Sequence, residues 1–222
     1  MSFRTEIEKM RRMPPKDLLW YLAEYYKFHF LGILLACLFI GIVASTVYRG
    51  TFDTMINAVF LISEPNAGAL DLTPVTEGFR SHEGMGAKQL VTAEELYAQL
   101  GPDAPVSETT YATVTKLTAM IAAQEMDVFI SGESAMANYA AYDAFAPLEA
   151  ALPPDLLQTL SPRLLAYPGS DGVPFPCVLD ISGTDFARRC NLSDGNAHLA
   201  IIVNSQRRDV CIALIRYIFE NP

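Results

Sequence analysis

The run from Phe28 to Tyr48, FHFLGILLACLFIGIVASTVY, constrains this chain more than any other feature. A helix rises about 1.5 Å per residue, so roughly twenty apolar residues are enough to cross a bilayer core. The run contains no Asp, Glu, Lys or Arg, and His29 at its start is its only readily ionised side chain. One such run in 222 residues predicts one crossing, with the rest of the chain on one side of a membrane or the other.

Charge gives the run a direction. Arg4, Lys9, Arg11, Arg12, Lys16 and Lys27 precede it, whereas only Arg49 follows within the next turns of chain. Lys and Arg beside a spanning helix favour the cytoplasmic side. The expected organisation is a cytoplasmic tail over 1–27, a transmembrane helix over 28–48 and an extracytoplasmic domain over 50–222. A cleaved signal would carry a shorter apolar stretch, although Ala44-Ser45 resembles a cleavage site. Leu34-Leu35-Ala36-Cys37 has the look of a lipobox, but apolar LFIGIVASTVY follows the cysteine where a polar tether belongs. An uncleaved anchor is the favoured reading, with Cys37 as a small apolar residue of the helix.

The tail carries its own pattern. Pro14-Pro15-Lys16-Asp17 reads as a helix start, since proline is tolerated in a first turn. Leu18, Leu19, Leu22, Tyr25 and Tyr26 then fall on one helical stripe. The plain reading is an interfacial helix lying against headgroups; the sharper one is a docking element for a membrane or cytoplasmic partner.

Residues 50–222 suffice for one globular domain with a core. From Arg49 onward there are ten Lys/Arg against 21 Asp/Glu, a net charge near −11. That balance argues against nucleic acid and against an anionic membrane surface as partners. Cys177, Cys190 and Cys211 lie beyond the run, and spacing alone leaves a Cys177–Cys190 bridge and free buried thiols both open.

Strand-like and helix-like segments alternate along this part. Met55–Ile62 reads as a buried strand, Thr73-Pro74 as a helix start through about Arg80, and Lys88–Val91 as a strand. Thr92 followed by Glu95 forms a capping box that predicts a helix over TAEELYAQL. Gly101–Val106 is a loop, and Ser107 or Thr109 begins a long helix with Val114, Leu117, Ile121 and Ala122 on one face. Met126–Ile130 is a strand that Gly132 ends, Glu133–Tyr142 a helix, Leu148 part of a short extended piece, and Pro153-Pro154-Asp155 the start of another helix through Leu160. Arg163–Ala166, Pro174–Ile181 and His198–Val203 are strands, and Gln206–Glu220 a closing helix. Such alternation predicts an α/β layered domain with a mixed sheet.

Two stretches resemble extracytoplasmic solute-binding proteins of bacterial ABC transporters, the type II periplasmic binding proteins. Lys116–Glu149, KLTAMIAAQEMDVFISGESAMANYAAYDAFAPLE, is similar to that family's helix, strand, small-residue turn and helix. His198–Phe219, HLAIIVNSQRRDVCIALIRYIF, is similar to its strand, Asn-Ser turn and final helix. Tyr25-Tyr26-Lys27-Phe28-His29 resembles the entry to the anchor in single-pass Gram-positive proteins that accompany ABC transporter subunits. The resemblance implies a reduced, permanently anchored relative with a binding-protein-lobe-like outer domain.

Catalytic signatures are sparse. Ser131-Gly132-Glu133-Ser134-Ala135-Met136 sits between a strand and a helix, the setting of a nucleophile elbow, with Asp180 or Asp194 and then His198 following in hydrolase order. Met136 stands where that turn wants a small residue, so capping of a helix by Ser131 or Ser134 is the simpler account. Only His82 and His198 lie beyond the run, without the spacing of a zinc site, and the aspartates lack a calcium-loop pattern. No cofactor and no metal are expected. A solute, whether small molecule or peptide, would sit at helix starts that follow strands. Those are Ser131, Gly132, Glu133 and Ser134, and Asn204 and Ser205.

The resulting expectation is a non-enzymatic membrane subunit or accessory of an ABC-type transporter. It would contact permease and ATPase subunits, and its outer domain would bind solute or gate the permease. A cell-envelope scaffold or sensor binding a protein or wall polymer is the alternative, and a serine hydrolase a further one.

Overall fold

The structure, a computed structural model, describes Pro14 and residues 27–63, 68–100 and 107–220. The chain divides into two compact units, Met1–Phe52 and Asp53–Pro222. In the first, Lys27–Arg49 forms helix α1. Among the described residues it is the one helix long and apolar enough to cross a membrane, over Lys27–Tyr48. Large side chains along it, among them Phe28, Leu31, Phe39 and Tyr48, are exposed.

The second unit is built on β1, Asp53–Ile62. From Ala58 to Leu61 its residues are inaccessible to solvent, as expected of a central strand covered on both faces. After it come α2, a π-type turn over Pro74–Phe79 continued as α-helix over Arg80–His82, and strand β2, Gln89–Tyr97. Helix α3, Glu108–Ala122, leads to β3, Val128–Ser131, and α4, Glu133–Ala140. Two short helices follow, α5 (Leu148–Ala151) and α6 (Pro154–Leu160). The chain ends with β4 (Leu164–Pro168), β5 (Pro174–Asp180), α7 (Asp185–Arg189), β6 (His198–Ile201) and α8 (Arg208–Glu220).

The six strands form one mixed sheet in the order β2-β1-β3-β6-β5-β4. β1 pairs in parallel with β2 and β3, while β6 runs antiparallel to β3 and β5, and β4 antiparallel to β5. Alternate residues serve two cores. Phe60, Ile130 and Leu199 join Val75 and Phe79 of α2, Leu148 and Leu156 of α5 and α6, and Leu214 and Ile218 of α8 on one face. Val59, Leu61, Phe129 and Ala200 meet Leu117 and Met120 of α3 and Met136 and Tyr139 of α4 on the other. The crossovers β1–β2 and β2–β3 therefore lie on opposite faces.

Several segments differ from the local pattern. Thr92–Leu100 is not helical: residues through Tyr97 belong to β2, whose Val91 stands opposite Ile56 and Glu95 opposite Phe60. A capping box is worth about 1 kcal/mol. Pairing the whole edge of β1 satisfies a row of backbone groups, and the Thr92 hydroxyl also donates to the Ile56 carbonyl at 3.2 Å. Leu148 begins a helical turn rather than an extended piece, because Pro147 opens α5 and drives Leu148 into the core. Thr73 provides no side-chain cap; its own N–H bonds the Asp71 carboxylate at 2.9 Å. The buried stripe of α3 runs through Leu117 and Met120, and Ala122 faces solvent. Ser107 does cap α3, its Oγ accepting the Thr110 N–H at 3.0 Å. Gly101–Val106 and the tail stripe Leu18, Leu19, Leu22, Tyr25 and Tyr26 lie outside the described residues.

Candidate functional site

The carboxyl ends of β1 and β3 lie side by side, with Leu61 opposite Ser131. From there the chain leaves β1 toward α2 on one face and β3 toward α4 on the other. This is a topological switch point, where open α/β sheets form their ligand crevices. Ser131 is completely buried. Its Oγ donates to the Leu61 carbonyl at 2.5 Å and lies 3.3 Å from the Ser63 Oγ. The Ser63 Oγ in turn accepts the Gly132 N–H at 3.2 Å, and the Ser63 N–H reaches the Asn196 Oδ1 at 3.3 Å. Because the Ser131 proton is committed to Leu61, Ser63 donates to Ser131. Asn196, itself buried, donates onward to the Ser193 Oγ at 3.1 Å.

Glu133 is exposed and Ser134 half-buried at the start of α4, and Gly132 precedes them in extended conformation without a side-chain cap. Burial, together with the Glu133 carboxylate and Cys177, pushes the Tyr167 hydroxyl up to about 12. His198 stands opposite both Ser131 and Asp180 across its two ladders, so all three project from the same face. The serine in this row is the buried Ser131, not Ser134. The His198 Nδ1 is buried without a hydrogen-bond partner, and the Asp180 Oδ1 accepts the Ser182 N–H at 2.8 Å.

Asn204 and Ser205 are at the other end of the sheet. β6 is antiparallel to β3, so the turn after it emerges where β3 begins, with Ile201 opposite Val128. The structure therefore separates the two nominated turns. Ser205 is built into a lock around Asp127, which is wholly buried. The Asp127 carboxylate accepts the Ser205 hydroxyl at 2.7 Å, the Asn57 N–H at 2.9 Å and the Arg207 Nη1 at 3.0 Å. The Asn204 amide donates to the Ile121 carbonyl at 2.7 Å, leaving its Oδ1 buried without a partner. The lock joins β1, β3, the end of α3 and the entry to α8. Beside it is a hollow of about 340 Å³ lined by Asn204, Ser205, Gln206 and Arg208 among others. Asp127 escaped the sequence reading; a lone carboxylate inside the apolar run MDVFI was its signal.

Cys177 and Cys190 are free and buried in the two different cores, on opposite faces of the sheet. Cys211 is likewise free and buried. Among the described residues no three His, Cys, Asp or Glu side chains are grouped to hold a metal.

The domain is thus a doubly covered mixed α/β sheet with a polar switch point at one end and a buried carboxylate lock at the other. Compared with known proteins, the chain matches no protein family, no curated protein and no solved structure.

Proposed function

We propose that this chain is a non-enzymatic, single-pass membrane protein that serves as a subunit or accessory of an ABC-type transporter. Helix α1 anchors it with its N-terminus in the cytoplasm, and the α/β domain stands outside, binding solute or gating the permease. The observation that carries the reading is the switch point between β1 and β3, where Ser63, Ser131, Gly132 and Asn196 converge. The fully exposed apolar length of α1 supports the anchor. Purification of the intact chain in a mild detergent tests the proposal. A permease and an ATPase are expected to co-purify, and a chain that always emerges alone counts against it.

One observation favours a second reading. Ser63, Ser131 and Gly132 hydrogen-bond to one another and to the Leu61 carbonyl, which is how a purely structural cluster behaves. On that reading the domain is an envelope scaffold or sensor that binds a protein or wall polymer. Crosslinking in intact cells to an envelope protein or wall polymer, with no transporter subunit captured, selects it. The hydrolase reading predicts labelling of Ser134 by a serine-reactive probe; an unmodified Ser134 ends it.

A further inference from the structure

The two edges of the sheet are built differently. β4 is blunted in the usual ways: it has five residues, its ladder with β5 shifts register between Leu165 and Ala166, and it ends at Pro168. β2, at the opposite edge, runs for nine residues without a proline, and the register shift in its ladder falls in β1, between Thr54 and Ile56.

Alternate residues of an edge strand turn both backbone groups toward the sheet, and the others turn both away. The Lys88 carbonyl accepts the Asp53 N–H at 2.8 Å, and the Ala98 N–H donates to the Ile62 carbonyl at 3.3 Å. Even-numbered residues therefore bond β1, and Gln89, Val91, Ala93, Glu95 and Tyr97 point their N–H and C=O outward. Among the described residues no strand pairs with that edge. Such a row is a template for another strand.

Two observations select a second copy of this chain as that strand. The first is charge. Exposed Lys88 leads into β2, and Glu94 lies six residues further on. Antiparallel pairing of two β2 strands about a two-fold axis at Val91 sets Gln89 of each opposite Ala93 of the other, both with outward backbone groups, and brings Lys88 of each level with Glu94 of the other. The second is the flank of α3. Lys116 reaches Glu94, so its side of the helix faces the β2 edge. Ala112, Ala119 and Ala123 lie on that side and are exposed, small enough for a second α3 to approach.

We propose that two copies of this chain join edge to edge through β2, turning two six-stranded sheets into one continuous sheet. Asp53 stands opposite Gln89, two residues from the axis. With the axis perpendicular to the sheet, the two Asp53 residues lie at one level about 20 Å apart, which leaves both chains free to enter one membrane. The interface is independent of the switch point and of the transporter reading.

Sedimentation equilibrium of the full chain in a density-matched maltoside detergent tests it, and a dimer is expected. Ala93→Pro removes one outward N–H and no bond to β1, a position where an edge strand tolerates proline. It should leave monomer at concentrations where the wild type is dimeric, with unchanged far-UV circular dichroism. Lys88→Glu, at an exposed position, should weaken association about five- to tenfold by setting like charges against each other. Gln89→Cys with Ala93→Cys, in a Cys37→Ser background, should give a disulfide-linked dimer with copper–phenanthroline as oxidant. Opposed residues of this kind have Cα atoms about 5.5 Å apart, within disulfide reach. The same two positions are about 13 Å apart within one chain, so the bond forms only between chains. A monomeric wild type, a dimer that neither Ala93→Pro nor Lys88→Glu weakens, or the absence of a crosslinked dimer overturns the proposal.

Discussion

Arg207 reaches Asp127 from just ahead of the C-terminal helix, its Nη1 3.0 Å from the Oδ2 of a carboxylate with no solvent exposure. The arginine side chain is one-third exposed, so the pair is asymmetric: one charge is fully withdrawn from water and the other is not. Loss of the arginine leaves the Asp127 carboxylate its bonds from the Ser205 hydroxyl and the Asn57 N–H. Arg207→Ala should destabilise the domain by about 2–4 kcal/mol, below the full cost of breaking a wholly buried pair. Urea unfolding of the intact chain in detergent, followed by far-UV circular dichroism, measures it.

Gly78 is held by a close approach. A Cβ added there would lie 2.5 Å from the Tyr217 hydroxyl oxygen. Tyr217 cannot retreat, because Phe79, His82 and Phe186 flank its ring at 5.6, 5.2 and 6.3 Å. Gly78→Ala should cost about 1–3 kcal/mol by overpacking. The same substitution in a Tyr217→Phe background, which removes the colliding oxygen, should cost less. A thermal-unfolding double-mutant cycle reads the difference; equal costs in both backgrounds would refute the close-approach account.

Ser63 is the hub of the switch point, accepting the Gly132 N–H while donating to Ser131. Ser63→Ala strands a buried N–H at the start of α4 and should cost about 1–3 kcal/mol. Faster amide exchange at Gly132, observed by hydrogen–deuterium exchange, should accompany it while Asn57 at the other end of the sheet stays protected.

The buried thiols make stability fall in alkali. Burial raises Cys177 to about 11 and Cys190 and Cys211 to about 12, from an ordinary value of 9.0. Burial likewise raises the Tyr139 hydroxyl to about 12 from 10.0. A group whose folded pKa is raised contributes stability that is whole below its unfolded pKa and is lost as pH climbs through the folded one. Stability should therefore decline between pH 9 and about pH 12. Urea midpoints across that range check the sign, and an unchanged midpoint would contradict it. At pH 8 the same three cysteines should resist a water-soluble thiol reagent until the domain unfolds.

Much of the element pattern was legible locally. The apolar continuity of MINAVFLI marks a central strand, Ser107 marks the start of α3, and Pro153-Pro154 marks that of α6. These signals lie within a few residues of the structure they specify. TAEELYAQL misled for the complementary reason. Its capping box is a local preference, and the backbone of β1, more than thirty residues earlier in the chain, outweighed it. The candidate site was legible as two turns but not as a geometry. Ser131 and Asn204 each follow a strand, and only the antiparallel course of β6 puts them at opposite ends of the sheet.

By itself the sequence determined one helix apolar enough to cross a membrane and a following domain of alternating strands and helices, because length and periodicity are properties of neighbouring residues. Tertiary structure alone decided the strand order, the opposed crossovers that create the switch point, and the burial of Asp127 against Arg207. Each of these joins residues far apart in the chain, and pairing and packing free energies of that kind leave no period for a local pattern to carry.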